Sequence, residues 1–281
     1  MRGAYDQRVP DPLPPAVTDE GPVRWSISVR DTISGEVIHE HAPDRLLSTA
    51  SVAKVLALVD LAARSVAGEI DLREVIERPA GRAVADSGLW QHLTVESLTL
   101  SDVAVLVAAT SDNWATNALI DRLTIEAVQG RAARLVPGGS TLHDYVRDER
   151  TGDDPTTLSH GCADDWTLLL TDLARGSCVD EATAQQVRTW LSLNTDLSMV
   201  ASALHLDPLA HTGADLGVRL WNKTGTDVGV RADVGVVSSG SRSLSYACVA
   251  NWADDGTRAT RRQVLDTMRA LGEFVRAHVS G

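Results

Sequence analysis

Three short patterns in this 281-residue chain bring together side chains able to do covalent chemistry. The first is Ser51-Val52-Ala53-Lys54. Positions i and i+3 of a helix share a face, so the hydroxyl and the amine can meet there. A serine hydroxyl is a poor nucleophile until a base takes its proton, and a desolvated lysine can be that base. The second is Ser111-Asp112-Asn113, at a turn after the apolar run Asp102 to Ala109. A hydroxyl there can relay protons to and from the amine, and the Asn amide can hold a substrate amide. The third, Lys223-Thr224-Gly225, closes a predicted strand. It offers a positive charge and a hydroxyl to an anionic substrate, and its glycine lets a ligand lie against the strand edge. Singly, each pattern fits ordinary structure equally well: a helix start with a surface lysine, a Ser-Asp cap, a strand running into a loop.

The lysine count sharpens the first and third patterns. The chain carries 24 Arg and only 2 Lys, and the two are Lys54 and Lys223. Lysine can lose its proton near neutral pH when buried, and arginine cannot. A sequence that replaced lysine elsewhere and kept it at these positions points to amine chemistry.

The elements that must position these residues are legible from periodicity. Val23 to Arg30 and Glu36 to His41 read as paired strands around the turn residues Asp31 to Gly35. Val52 to Ala67 is apolar at helical spacing, with Ser48, Thr49 and Ser51 as capping candidates. Thr99 to Ala109, Trp114 to Leu123, Ala163 to Ala174 and Glu181 to Leu193 also read as helices. Val218 to Lys223, Val230 to Ser238 and Leu244 to Trp252 are Val-rich strands, and Arg258 to Val279 is an amphipathic helix. Strands at both ends bracket a helical middle. The expected fold is α+β: one antiparallel sheet from both chain ends flanked by helices, with an inserted all-α lobe and the site in the cleft between. The expected organisation is a Pro-rich extended arm over 1–22, an α/β lobe from 23–48 and 210–281, and an all-α lobe over 49–209.

Composition narrows the function. Apolar residues make up 43% and charged residues 23%, which excludes a disordered or fibrous chain. With 38 acidic against 26 basic residues the formal charge is -12, which argues against a non-specific nucleic-acid binder. No apolar run approaches the ~20 residues of a membrane span. Cys162, Cys178 and Cys248 form no metal or redox spacing and read as small buried thiols. His39 and His41 share a strand face without a third ligand at a recognisable spacing, and His160 with Cys162 is a minor candidate for a Cys-His pair. No cofactor or metal is expected. The N-terminus has no apolar h-region, so the chain as written reads as cytoplasmic, or secreted if a longer precursor was trimmed.

Jointly, Ser-x-x-Lys, Ser-Asp-Asn and Lys-Thr-Gly, in this order, form the set that names class A β-lactamases and penicillin-binding proteins. The sequence resembles that serine-hydrolase family from about Trp25 to its C-terminus. Ser51 and Ser111 lie 60 residues apart, the interval expected of class A. The stretches TSDNWATNALIDRL and NKTGTDVGVRADVGVV, with Gly229, Val230, Arg231 and Asp233, extend the likeness beyond the motifs. The resemblance implies that Ser51 is the acylated nucleophile, Lys54 its base and Ser111 the proton shuttle to the leaving nitrogen. It implies that Asn113 holds the substrate's side-chain amide. Lys223, Thr224 and Gly225 would frame the substrate carboxylate, with Lys223 also shaping the field around the Ser111 hydroxyl. The oxyanion hole would be the N–H groups of Ser51 and Thr226. Arg231 matches the family's carboxylate-binding arginine, against the alternative of a solvated strand arginine.

One departure bears on function. Class A enzymes carry Glu-x-x-Leu-Asn in an Ω-shaped loop, and that glutamate activates the deacylating water. No such signature occurs between Ser111 and Lys223, where the region reads STLHDYVRDERTGDDPTTLSHG and is shortened before Thr156-Thr157. Asp144, Asp148 and Glu149 are weak candidates for the missing acid; with Asp153 and Asp154 they read rather as loop carboxylates or partners of Arg147 and Arg150. The expectation is a small-molecule serine hydrolase that forms a Ser51 acyl-enzyme with β-lactams or similar cyclic amides and releases it slowly. The alternatives are a non-lactam esterase, peptidase or transacylase with the same nucleophile, or a non-catalytic binding protein on the same fold.

Overall fold

The computed structural model describes residues 14–18, 20–215, 217–254 and 256–280. Its centre is a five-stranded antiparallel sheet in the order β2-β1-β10-β9-β8. The strands are β1 (Val23–Asp31), β2 (Val37–His41), β8 (Val218–Asp227), β9 (Val230–Ser239) and β10 (Arg242–Trp252). β1 pairs with β10 from Val23 opposite Trp252 to Asp31 opposite Leu244, so the two chain ends share one sheet, as the sequence predicts. Short strands supply the fittings: β3 (Leu47–Ser48), β4 (Val75–Glu77), β5 (Ser97–Thr99), β6 (Thr141–Leu142) and β7 (Ser159–Gly161).

Both sheet faces are buried, and side-chain alternation decides what each meets. Val23, Trp25, Ile27 and Val29 of β1 join Tyr246, Cys248 and the helix α7 (Arg258–Ser280) in one core. Ser26 and Ser28, which alternate with them, face the other way. Ser28 Oγ meets Thr167 Oγ1 of α5 (Ala163–Arg175) at 3.1 Å, so burial of these hydroxyls is compensated. On that side Ala232, Val234, Val236, Ala247 and Val249 join the core of the helical region.

That region comprises α1 (Lys54–Val66), α2 (Leu100–Thr110), α3 (Asn113–Leu123), α4 (Ile125–Leu135), α5 and α6 (Glu181–Leu191). Every residue of α1 from Lys54 to Ala63 is buried, which marks it as the central helix rather than a surface one. α4 is not anticipated by the sequence reading. Its Ile125, Val128, Ala132 and Leu135 nevertheless fall at helical spacing, and its start is fixed by Thr124, whose hydroxyl accepts the Ala127 N–H at 3.3 Å. The expected caps of α1 are not caps. Ala53 stands at its N-terminus with no side-chain hydrogen bond, while Ser48 Oγ meets Thr157 Oγ1 at 2.7 Å and Thr49 Oγ1 meets Ser159 Oγ at 2.8 Å.

Of the Pro-rich arm expected over 1–22, residues 1–13 and 19 lie outside the described residues. Residues 14–18 have no regular secondary structure, and Val17 packs against the core between sheet and α7. Among the described residues no helix is long and apolar enough to cross a membrane.

Candidate active site

The Ala50–Ala53 segment is a 3-10 turn that feeds directly into α1 and carries Ser51. Ala50 has φ +46°, a left-handed conformation that costs a residue with a Cβ of order 1 kcal/mol or more. The surroundings hold it there. Ser159 Oγ donates to the Ala50 carbonyl at 2.7 Å. β8 closes on the turn from the other side: a Cβ on Gly225 would collide with the Thr49 carbonyl and lie 3.2 Å from the Ser51 nitrogen. Glycine at this position is therefore a requirement of close approach, and it brings the Lys-Thr-Gly strand against the backbone N–H of Ser51.

Lys54 opens α1 and has no exposed surface. Its Nζ reaches the Ser111 carbonyl at 2.7 Å, Ser111 Oγ at 3.2 Å and Asn113 Oδ1 at 2.8 Å. Burial presses the amine well below the ordinary lysine value, and the charge of Lys223 presses the same way. Asp112 and Asp86 pull weakly back. The turn that presents Ser111 is itself bent for the purpose, since Ser111 has φ +55°. Asp112 anchors it: Oδ1 accepts the Ala115 N–H at 2.8 Å and Oδ2 accepts those of Leu89 and Trp90 at 2.7 and 2.8 Å. The aspartate caps α3, and its neighbours on either side turn to the lysine.

Lys223 is also fully buried, and its Nζ donates to the Thr224 carbonyl at 2.9 Å. Burial lowers it to about 8, against the raising effect of Asp196 and Asp233. Both lysines lie beneath the floor of a cavity of about 740 Å³. Ser51, Ser111, Asn113, Thr224, Thr226 and Arg231 line it, so the structure brings the expected residues to one place. Arg231 is half-buried rather than freely solvated. Its Nη1 donates to the Val230 and Asp227 carbonyls at 2.7 and 3.1 Å, and burial and the nearby Arg261 charge both lower its pKa.

Other lining groups carry no short motif. Arg261 comes from the first turn of α7, Asp86 and Ser87 from the segment before α2, and Asn194, Thr195 and Asp196 from the loop after α6. Only tertiary packing gathers them. For Asp86, proximity to the Ser-Asp-Asn turn in space leaves no trace in sequence spacing.

The shortened loop forms the remaining wall. His143 N–H donates to the Leu158 carbonyl at 2.8 Å, and β6 pairs with β7, closing its base. Asp144 does not line the cavity. Arg147 Nε and Arg150 Nη1 donate to its Oδ2 at 2.7 and 2.9 Å. Burial pushes this carboxyl up, and the hydrogen bonds from Arg147, the Tyr145 N–H and Arg150 outweigh it, so its pKa falls. Glu149 is exposed. Asp148 lines the cavity and accepts the Ala85 N–H at 3.1 and 3.2 Å. Asp144 and Asp154 are arginine partners, as the sequence suggests, and Asp148 is a backbone anchor, which it does not.

The minor candidates have other employment. His160 Nδ1 lies 2.6 Å from His143 Nε2, and burial raises the Cys162 thiol, which opposes a Cys-His pair. His39 meets the Phe274 ring edge-on at 5.8 Å. Cys162, Cys178 and Cys248 are free and buried.

The sequence profile of the beta-lactamase enzyme family matches residues 15–277. No curated protein sequence matches the chain. Among solved structures, the chain is similar to a beta-lactamase from Sphaerobacter thermophilus at 24% identity and TM-score 0.77, over 93% of this chain and 92% of that one. It is similar to a PBP-A mutant, solved as an acyl-enzyme complex with penicillin G, at 16% identity and TM-score 0.76 over 92% of each chain. A mutant class A beta-lactamase representing the last common ancestor of Gram-negative bacteria matches at 21% identity and TM-score 0.74, over 93% of this chain and 94% of that one.

Proposed function

The chain belongs to the beta-lactamase enzyme family, and from that premise we propose that it is a serine hydrolase in which Ser51 attacks β-lactams or similar cyclic amides. The carrying observation is the buried Lys54 amine, hydrogen-bonded to Ser111 and Asn113 beneath a cavity that Ser51 lines. Burial favours the neutral amine, which has two N–H groups and a lone pair. The N–H groups suit the Ser111 carbonyl and Asn113 Oδ1, and the lone pair is then available to a hydroxyl. Ser51 loses its proton to this amine as its Oγ bonds to the carbonyl carbon. The oxygen that becomes anionic is received by the N–H groups of Ser51 and Thr226, a role that the close approach of Gly225 to the Ser51 nitrogen supports. The C–N bond breaks as Ser111 passes a proton to the leaving nitrogen. Asn113 Oδ1 is spent on Lys54, so its Nδ2 is the group that serves a substrate amide. Thr224, Arg231 and the ammonium of Lys223 favour a substrate carboxylate.

Release of the acyl group is the slow step in this reading. The loop carboxylate most enclosed, Asp144, is committed to Arg147 and Arg150. That same observation favours a second reading, a non-lactam esterase, peptidase or transacylase with the same nucleophile, in which an alcohol or amine, rather than water, can take the acyl group from Ser51 and give its proton to the base.

Intact protein mass, followed over time with a penicillin, a cephalosporin and a carbapenem, tests the proposal. The expected result is a persistent adduct that is absent in Ser51→Ala. An adduct unaffected by Ser51→Ala overturns the assignment of the nucleophile. A rapidly vanishing adduct overturns slow deacylation.

A further inference from the structure

The peptide bond between Ala50 and Ser51 is approached from both sides. In a trans peptide the carbonyl of one residue and the N–H of the next point in opposite directions. On the N–H side stands Gly225 of β8, where a Cβ would lie 3.2 Å from the Ser51 nitrogen. On the carbonyl side stands β7, whose Ser159 hydroxyl donates to the Ala50 oxygen at 2.7 Å. Ser159 has no exposed surface and does not line the cavity, so it is out of a substrate's reach. Its own oxygen lies 2.8 Å from Thr49 Oγ1, another fully buried hydroxyl. The Ser159 proton is spent on the carbonyl, so Thr49 is the donor of that pair. The bonds therefore run one way, from Thr49 to Ser159 to Ala50.

Backbone geometry gives this chain of bonds a task. Ala50 has φ +46°, which an alanine leaves when nothing holds it. Relaxing that angle turns the whole peptide plane that follows, the carbonyl and the Ser51 N–H together. β7 is framed to oppose the turn. Ser159 pairs with Leu142 of β6, and its neighbours His160 and Gly161 pair with Ser48 and Leu47 of β3. The Ser159 carbonyl accepts the Thr49 N–H at 3.4 Å and the Thr157 hydroxyl at 3.2 Å. The hydroxyl thus acts from a fixed frame. Hydrogen bonds in series also polarise one another, so a donor on the carbonyl strengthens the N–H at the far end of the same peptide.

We propose that Ser159 is a positioning residue for the oxyanion site: by holding the Ala50 carbonyl it fixes the direction and the donor strength of the Ser51 N–H. The closed base of the shortened loop thereby takes part in acylation, since β7 is where that loop returns to the Ser51 turn. The catalytic consequence rests on the acyl-enzyme reading. The orientation of the peptide does not.

Acylation by benzylpenicillin, followed by stopped flow, compares wild type, Ser159→Ala, Ala50→Gly and the double variant. Ser159→Ala is expected to lower the limiting rate by about 10-fold or more, short of the roughly 100- to 1000-fold of a donor removed outright, with the half-saturating concentration little changed. Glycine tolerates the left-handed region, so adding Ala50→Gly is expected to restore most of the rate. The infrared carbonyl band of the Ser51 ester reports the oxyanion bonds directly, and Ser159→Ala is expected to move it to higher frequency as they weaken. A wild-type rate or an unmoved band in folded Ser159→Ala overturns the proposal, as does a loss that Ala50→Gly leaves unrecovered. Should Ser159→Ala not fold, Ser159→Cys keeps the shape with a weaker donor. It is expected to move rate and band the same way by less, and no movement overturns the proposal. A wild type that forms no Ser51 adduct defeats the acyl-enzyme reading, and the resting protein then decides the role of Ser159. In 15N-serine-labelled protein the Ser51 amide signal is assigned by its loss in Ser51→Ala. Its nitrogen shares a peptide bond with the Ala50 carbonyl, so the signal is expected to shift in whichever Ser159 variant folds, and a signal left in place overturns the proposal.

Discussion

The cleft has two contrasting walls. The floor from Ser51 to Asn113 is built on buried groups whose charge is suppressed. Lys54 has no exposed surface, and its contacts are a carbonyl, a hydroxyl and an amide oxygen. The loop from His143 to Leu158 is built on charges that cancel: Asp144 against Arg147 and Arg150, and Asp154 against Arg147 at 3.2 Å. Suppressing a charge creates reactivity, because the neutral amine is a base. Cancelling charges creates rigidity, because a carboxylate bonded to two guanidiniums has little basicity left to give to a water. In the reading above, the first wall supports attack and the second withholds hydrolysis.

The largest test of that contrast is Lys54→Met. Loss of a general base is expected to slow Ser51 acylation by roughly 100- to 10,000-fold. Wild-type acylation should rise with pH as Lys54 deprotonates and then level off, and the variant's profile should be flat. The sign for stability is opposite to that for activity. A lysine whose folded pKa is lowered carries a cost of burial below that pKa, which fades as pH rises toward the ordinary lysine value. The methionine variant should therefore melt no lower than wild type at pH 7. A cooperative loss of folding would show that the ammonium is a structural group and would break the comparison.

Gly225→Ala should come next. Its Cβ meets the Thr49 carbonyl, so β8 must retreat from the Ser51 N–H. Acylation is expected to fall by about 100-fold or more, the scale of a lost oxyanion donor. Acylation at the wild-type rate would show that β8 does not supply that donor.

Asp144→Asn probes the other wall and should invert the pattern. Losing charge-assisted hydrogen bonds costs about 1.5–3 kcal/mol, toward the low end here because both arginines are partly exposed and can be solvated. The melting temperature should drop clearly while the initial acylation rate hardly changes. Asp148→Ala should have the smallest effect, because this side chain contributes an exposed anchor to the Ala85 N–H. Adduct lifetime should stay near the wild-type value. A lengthening of roughly 100-fold, the scale of a lost general base, would identify Asp148 as the water's base and would sharpen the contrast into a different one.

Much of this architecture is legible in the sequence because its signals are local. Alternation in VRWSISVR, the Val-rich strands after Val218 and the apolar face of Arg258 to Val279 follow from periods of 2 and 3.6, which backbone geometry imposes. The three motifs are legible for a related reason: each needs its residues on one turn or strand edge, and the two lysines of an arginine-rich chain stand out in them. Where local signals conflict with packing, sequence reading fails. Ser48 and Thr49 look like helix caps, yet their hydroxyls are claimed by Thr157 and Ser159 from a segment more than a hundred residues away.

The sequence by itself determined which side chains are candidates for chemistry and the order of the elements that carry them, because residue type and short spacing are properties of the chain. Tertiary structure alone decided the rest. It brought Arg261 and Asp196 to the same cavity as Ser51, pressed a glycine against the turn that carries Ser51, and turned Asp144 away to two arginines. It also buried both amines. Desolvation and Coulomb coupling depend on distance through space, and no spacing along the chain records them.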